Sequence, residues 1–423
     1  MCAFEGLSKE QLIERKQQVQ SAYDQYKSQG LKLDMSRGKP CSEQLDLSAD
    51  LFKDTNNLFS ADGTDCRNYG LLDGIREAKA LFAEVFGLSE DELFIGGNSS
   101  LNLMYDLVSK AFIHGLNGFE KPWCKLDKVK FLCPAPGYDR HFAITELFGV
   151  EMIIIPMTKE GPDMDKVEEL VAQDESIKGI WCVPKYSNPT GITYSDTVVK
   201  RLAFMKTKAP DFRIIWDNAY AFHHLYDTPD TLLDIFSECR KAGNPDRVYM
   251  FSSTSKVTFS GAGLAIMASS KENIAHIKKQ IAIQTIGHDK INMLLHVRFL
   301  KNAQNLEQHM KKHAQILRPK FEAVTEILEK NLKGKGIASW NKPNGGYFIS
   351  LDVLEGCAKR TVQLAKEAGV TLTPAGATFP YGKDPQDSNI RIAPTYPPMD
   401  ELKKAIEILT LCVELAALEK VLA

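Results

Sequence analysis

The chain has 423 residues, 44% hydrophobic and 25% charged, with 52 Lys and Arg against 54 Asp and Glu for a formal net charge of −2. That apolar content excludes a disordered chain, and a charge so near zero excludes a nucleic-acid partner held by bulk electrostatics. The length predicts two or three domains, or one large lobe with a smaller one, able to bury a core without staples.

The N-terminal stretch MCAFEGLSKEQLIERK turns charged within a few residues, so no signal-peptide apolar region is expected. No run approaches the ~18 uninterrupted apolar residues of a membrane span. Ser8 to Gln29, with Leu12, Ile13, Val19, Tyr23 and Tyr26 at mostly helical spacing, predicts an amphipathic packing helix. Nine scattered cysteines (Cys2, Cys41, Cys66, Cys124, Cys133, Cys182, Cys239, Cys357, Cys412) form no C-x-x-C pair. They point to a reducing, cytoplasmic setting rather than to a disulfide framework or a zinc site.

From residue 92 onward, seven short apolar, β-branched runs predict strands: 92–97, 129–133, 151–157, 177–183, 212–217, 248–252 and 263–269. Helix-like stretches at 101–114, 163–172 and 195–208 lie between them. Buried strands alternating with helices predict an α/β lobe on a mostly parallel, seven-stranded sheet, with chemistry outside the strands' carboxyl ends. A long helical region follows over 292–331. After it comes a smaller α/β pattern: a strand over 345–352, a helix over 359–368, strands at 370–373 and 389–394, and a helix from Met399. The expected division is a large domain over 50–310 and a small domain built from both chain ends, 1–49 and 311–423.

Several residues stand where these strands end. Asn98-Ser99-Ser100-Leu101 opens a helix, where free N–H groups and small hydroxyls can receive an anion, although Ser and Asn are also ordinary caps. Asp217 closes an apolar strand and precedes Asn218 and Tyr220; it is either a helix cap or an acid held beside a protonated ring nitrogen. Lys256, in Ser252-Ser253-Thr254-Ser255-Lys256, follows another buried strand and can become a desolvated nucleophilic amine. Asn188-Pro189-Thr190-Gly191 reads as a turn, and Arg391 interrupts an apolar strand where it needs an acidic partner or an anionic ligand. His223-His224 invites a metal reading, but adjacent histidines point apart and no carboxylate cluster surrounds them, so no metal site is expected.

Taken in order, these signals resemble the fold-type I pyridoxal-phosphate enzymes. They are the Asn98 loop, Tyr138 after Pro134-Ala135-Pro136-Gly137, Asn188-Pro189-Thr190-Gly191, Asp217 with Tyr220, Ser253 with Lys256, Gly345-Gly346-Tyr347-Phe348 and Arg391. The pattern is similar to class I/II aminotransferases of the aspartate aminotransferase superfamily, over about residues 35 to 410. Its spacings are 29 residues from Asn188 to Asp217, 39 on to Lys256 and 135 on to Arg391. Ser36-Arg37-Gly38-Lys39-Pro40 and Ile286-Gly287-His288-Asp289-Lys290 resemble a divergent bacterial branch of aspartate aminotransferases.

The resemblance implies an α/β fold and transfer of an amino group, by a ping-pong route, between aspartate or glutamate and 2-oxoglutarate, with pyridoxal 5'-phosphate as cofactor. It leaves open another amino acid (alanine, aromatic or 2-aminoadipate) or a lyase reaction on the same fold. A DNA-binding regulator carrying such a fold would need a basic domain ahead of it, and none is read here. Lys256 would hold the cofactor covalently and then move the proton between the substrate Cα and the cofactor C4′. Asp217 would pair with the pyridine nitrogen. Asn188 and Tyr220 would bond its phenolate oxygen, and Tyr138 would stack on its ring. Ser99, Ser100, Leu101 and Ser253 would hold the phosphate, with Tyr69 reaching across from the second subunit of a homodimer. Gly38, Asn188 and Arg391 would receive the substrate, Arg391 gripping its α-carboxylate.

One departure concerns the phosphate: Leu264 stands eight residues after Lys256, where related enzymes carry an arginine. Arg37, Lys39 and Arg140 are the candidate replacements. For the second carboxylate of a dicarboxylic substrate the candidates are Arg37, Lys39 and Lys290. The expected partners are small amino and oxo acids and a second copy of the chain, with no nucleic acid and no membrane.

Overall fold

The computed structural model describes residues 3–423, so Cys2 lies outside the described residues. The strands run in chain order β1 (Leu33–Asp34), β2 (Leu93–Ile95), β3 (Lys130–Ala135), β4 (Glu151–Thr158), β5 (Gly161–Pro162), β6 (Ile177–Cys182) and β7 (Arg213–Asp217). They continue with β8 (Val248–Ser253), β9 (Ala265–Ala268), β10 (Ala338–Trp340), β11 (Ile349–Val353), β12 (Val370–Thr371) and β13 (Asn389–Ile392).

The large sheet has the order β2-β9-β8-β7-β6-β3-β4-β5. From β8 to β4 all pairs are parallel, while β2, β9 and β5 join antiparallel. All seven predicted strands are present. The sheet has eight rather than seven because Gly161–Pro162 folds back on the end of β4, a two-residue pairing too short to leave an alternating apolar pattern. Both sheet faces are covered, as the continuous apolar runs require. Ile214 and Trp216 of β7 face one buried cluster with Ile180, Cys182 and Met250, whereas Ile215 faces the other with Trp181, Tyr249 and Phe251. Gly179 lets β3 and β6 close up, since a Cβ there would lie 2.8 Å from the Phe131 ring.

The predicted helices form with short shifts at their ends. Lys9–Lys27 starts at a Ser8 cap that accepts from Gln11 N–H, and it buries Leu12, Val19 and Tyr23. Ser100–His114, Met164–Gln173 and Asp196–Phe204 follow β2, β5 and β6 respectively. The long helical region is two helices, Lys290–Leu300 and Ala303–Leu332. Between them Lys301 takes a left-handed φ of 62°, and the Asn302 side chain caps the next helix by accepting from Asn305 N–H.

The chain ends meet. β1 pairs in parallel with β12, and the helix Lys9–Lys27 packs on the C-terminal helix Met399–Leu422. Arg15 there grips Glu414 with two bonds of 2.7 and 3.0 Å. A second, antiparallel sheet, β10-β11-β13, pairs Ser350 with Arg391. The predicted strand at 345–352 begins later, at Ile349. Gly345 and Gly346 are needed instead for close approach to Tyr186, whose atoms would lie 2.4 and 2.9 Å from added Cβ atoms. No helix among the described residues is long and apolar enough to cross a membrane.

Candidate active site

The carboxyl ends of four adjacent parallel strands supply the predicted residues. Tyr138 follows β3, Asn188 lies in the turn after β6, Asp217 ends β7, and Lys256 follows β8. In an open α/β sheet this rim is where backbone groups and side chains are free to meet a ligand.

Asp217 is only 3% exposed. Its Oδ2 lies 2.9 Å from His141 Nε2, and its Oδ1 is buried without a hydrogen-bond partner. A buried acceptor in that condition costs free energy unless a ligand donates to it. His141 is fixed in turn by stacking on Trp181, with ring centroids 4.4 Å apart at 10°. The sequence reading missed His141. A carboxylate ending a buried strand demands a partner, but only the fold brings His141, on the helix Asp139–Leu147, to meet it.

Lys256 Nζ sits 5.0 Å from the Tyr220 ring centroid and 5.7 Å from that of Tyr347. Burial pushes the amine below its ordinary pKa, partly offset by the Asp217 charge. Burial also pushes the hydroxyls of Tyr220 and Tyr138 up, with the Asp217 charge adding to the effect at both. Tyr347, from the Gly-Gly-Tyr-Phe run, is a second unforeseen neighbour of the lysine. Its hydroxyl accepts from Gln44 Nε2 at 2.9 Å.

The two histidines diverge, as expected for adjacent positions. His223 Nε2 lies 3.3 Å from the Lys256 carbonyl oxygen, whereas His224 Nδ1 lies 2.8 Å from the Tyr186 hydroxyl. No group of three potential metal ligands occurs among the described residues.

Arg391 is buried, with its guanidinium 4.8 Å from the Phe348 ring centroid. Nη1 donates to Asp139 Oδ1 at 2.8 Å and to Asn188 Oδ1 at 3.3 Å, and Nη2 donates to Thr373 Oγ1 at 3.3 Å. Gly38 belongs to this corner, because a Cβ there would lie 2.3 Å from the Phe348 ring.

The Asn98 loop opens a helix, as its residues predict. Ser99 caps the helix Ser100–His114 without using its side chain, and Ser100 and Leu101 open the first turn, where backbone N–H groups lack helical acceptors. Ser253 pairs with Ala265, whose N–H donates to Gly97 O at 3.1 Å, and Ser255 Oγ donates to Asn98 O at 2.9 Å. The Asn98 and Lys256 loops are therefore tied together.

Leu264, at the position of the missing arginine, is 1% exposed and packs in the sheet core. Two of the candidate replacements lie elsewhere. Thr373 Oγ1 donates to Ser36 O and Thr395 Oγ1 donates to Lys39 O, each at 2.9 Å. These bonds hold the exposed Arg37 and Lys39 on the Arg391 side rather than at the Asn98 loop. Arg140 is exposed on its helix. Lys290 is buried, with Nζ donating to Gly70 O at 3.1 Å, so its charge already serves the loop that carries Tyr69. Tyr69 itself is 81% exposed.

The chain matches the family profile described as aspartate amino-transferase over residues 7–423. It is 48% identical to the aspartate aminotransferase of Corynebacterium glutamicum over 403 residues, covering 95% of this chain and 93% of that protein. The crystal structure of an aspartate transaminase from the same organism superposes with a TM-score of 0.96 at 46% identity, covering 99% of both chains. The α-aminoadipate aminotransferase of Thermus thermophilus, in complex with N-(5'-phosphopyridoxyl)-L-leucine, shares the fold with a TM-score of 0.74 at 21% identity, covering 95% of this chain and 96% of that one. With its fold and the residues at its strand ends in agreement, the chain belongs to the aspartate aminotransferase family.

Proposed function

We propose that this protein is a pyridoxal 5'-phosphate-dependent aminotransferase that takes the amino group of aspartate or glutamate and passes it to 2-oxoglutarate. The observation that carries the reading is the unpartnered Asp217 Oδ1, buried beside a desolvated Lys256. A cofactor with a protonated ring nitrogen satisfies that oxygen. The likeness to the Corynebacterium glutamicum enzyme supports aspartate as a donor.

When bound, the cofactor supplies an electron-withdrawing ring for the charge that develops at the substrate Cα. The chain's residues do the rest. Asp217 would pair with the ring nitrogen, with His141 2.9 Å from its Oδ2 to orient it. Asn188 and Tyr220 would hydrogen-bond the phenolate oxygen, and Tyr138 would stack on the ring. Ser99, Ser100, Leu101 and Ser253 offer hydroxyls and helix-terminal N–H groups to the phosphate, a dianion that Leu264 cannot neutralise. Lys256, whose amine burial pushes below its ordinary pKa, would take the proton from the substrate Cα. Arg391 presents its guanidinium to the α-carboxylate.

A homodimer is part of the reading. Its support is the exposure of Tyr69 together with Ile283, 90% exposed, and Ile286, near the close approach of Gly287 to Gly70. The domain division at 50 and 310 is supported by the helix Ala303–Leu332. Leu306 and Met310 on that helix pack in the large-sheet core, whereas Leu317 and Phe321 pack with the chain ends.

The test is spectroscopic. Amino acids added singly to the holoenzyme should bleach the visible band of the lysine-bound cofactor, aspartate and glutamate most readily, leaving the aminated cofactor and the matching oxo acid. Release of pyruvate and ammonia with return of the band would instead mark a lyase. Lys256→Ala should lose both band and turnover, and retention of either refutes the assignment.

A further inference from the structure

We propose that Asp139 is an internal competitor for the substrate: its carboxylate occupies the end of Arg391 that the α-carboxylate needs, and it must yield before substrate is held. The inference rests on the reading above that Arg391 receives that carboxylate.

Arg391 has five N–H groups in a fixed planar fork, and a carboxylate is gripped best by two parallel ones. Two edges of the fork offer such a pair. Nε is buried without any partner, so every hydrogen bond of the fork is made by Nη1 and Nη2. Of the two, Nη1 donates to Asp139 Oδ1 at 2.8 Å and to Asn188 Oδ1 at 3.3 Å. Nη2 has given one N–H to Thr373 Oγ1 at 3.3 Å. The shortest of these bonds, and the only one to a charged group, is the one to Asp139. A substrate carboxylate approaching Nη1 and Nη2 meets a like charge already in place.

Asp139 is also placed to let go. Its side chain is 32% exposed, against 8% for Arg391, so the carboxylate has water on one side. It is the first residue of the helix Asp139–Leu147, where a negative charge is stabilised by the unsatisfied N–H groups and the dipole of the first turn. Released from Arg391, it keeps favourable surroundings, whereas Arg391, far more buried, needs an anion at all times. The ion pair thus satisfies the arginine between turnovers and lowers substrate affinity by the cost of its displacement. Because Tyr138 and His141 flank Asp139 on the same turn, the exchange takes place beside the cofactor face.

The test titrates the holoenzyme with maleate, an unreactive dicarboxylate, following the visible band. Asp139→Asn keeps the shape and removes the charge, so maleate should bind between about threefold and about tenfold more tightly, the range for a partly solvated ion pair. KM for the amino donor should fall by a similar factor. Asp139→Ser, which suits a helix start, should shift in the same direction. In an Arg391→Lys background the Asp139→Asn gain should vanish, because the coupling passes through the guanidinium. Unchanged or weaker maleate binding in the Asp139 variants overturns the competition, weaker binding meaning that Asp139 orients the arginine instead. A gain that persists without the guanidinium overturns it as well. Failure of the underlying reading looks different: Arg391→Lys alone would bind maleate as tightly as the parent.

Discussion

Replacing Asp217 by Asn separates what that residue does for the fold from what it does for the chemistry. The side chain is 3% exposed, its Oδ2 sits 2.9 Å from His141 Nε2, and its Oδ1 has no partner. Asn keeps the volume and can keep accepting from His141 through its carbonyl oxygen. In the cofactor-free protein the change exchanges one unsatisfied buried atom for another, and a charged one for a neutral one. A buried unsatisfied polar atom costs about 1–3 kcal/mol, and more when charged, so apo stability should stay within about 1 kcal/mol or rise. In the holoenzyme the same change leaves a protonated ring nitrogen without its counter-charge, and breaking a buried pair from one side costs about 3–5 kcal/mol. With a factor of ten for each ~1.4 kcal/mol, kcat/KM should fall between about a hundredfold and several thousandfold. Steady-state transamination kinetics and thermal unfolding of the apo and holo forms measure the two effects. Turnover within about threefold of the parent, or an apo form destabilised by more than about 2 kcal/mol, would falsify the assignment of Asp217 to the ring nitrogen.

The buried imidazoles predict the acid limb of stability. Burial pushes His313 down to about 3, with the His309 charge adding to the effect, and burial pushes His296 down to about 4. Between pH 6.5 and those values the unfolded chain binds more protons than the native one, so stability is full above about pH 6.5 and falls on acidification. Each histidine contributes about 1 kcal/mol per pH unit; a flat Tm from pH 7 to pH 5 would contradict this, and His313→Gln should make the slope shallower. Under the proposed homodimer, Tyr69→Phe should weaken cofactor binding about tenfold, the worth of one hydrogen bond to a charged group. Equilibrium dialysis of the apoenzyme against the cofactor reads this loss, and unchanged affinity, or a fully active monomer by light scattering, would show that Tyr69 does not serve a neighbouring site.

Much of this molecule is legible without its structure. Short, continuous β-branched runs ending in Asn, Asp and Lys point to strands buried on both faces, since a buried sheet leaves no place for alternation. The rim of such a sheet is where Asn188, Asp217 and Lys256 can meet a ligand. The motif order and spacing along one chain are what mark the family. Some local detail was within reach as well: Ser8, Asp163, Ser195 and Asp289 each cap a helix through their side chains.

What the sequence left open depended on distance in space. Nothing in the chain order says that His141 rather than a lysine meets Asp217, or that Tyr347 faces Lys256 from 91 residues away. Arg37, Lys39 and Lys290 were equivalent cations until backbone anchors fixed two of them near Arg391 and buried the third beneath the Tyr69 loop. Arg391 could be assigned an anion from sequence, but only the folded chain gives it an internal one, Asp139, 252 residues earlier. The physical reason is the same in each case. Periodicity and capping are local, short-range properties of the backbone, so they are written in neighbouring residues. Which charge meets which is settled by packing, where an unpaired buried group costs more than any local preference, and only the tertiary fold shows how each such group is paired.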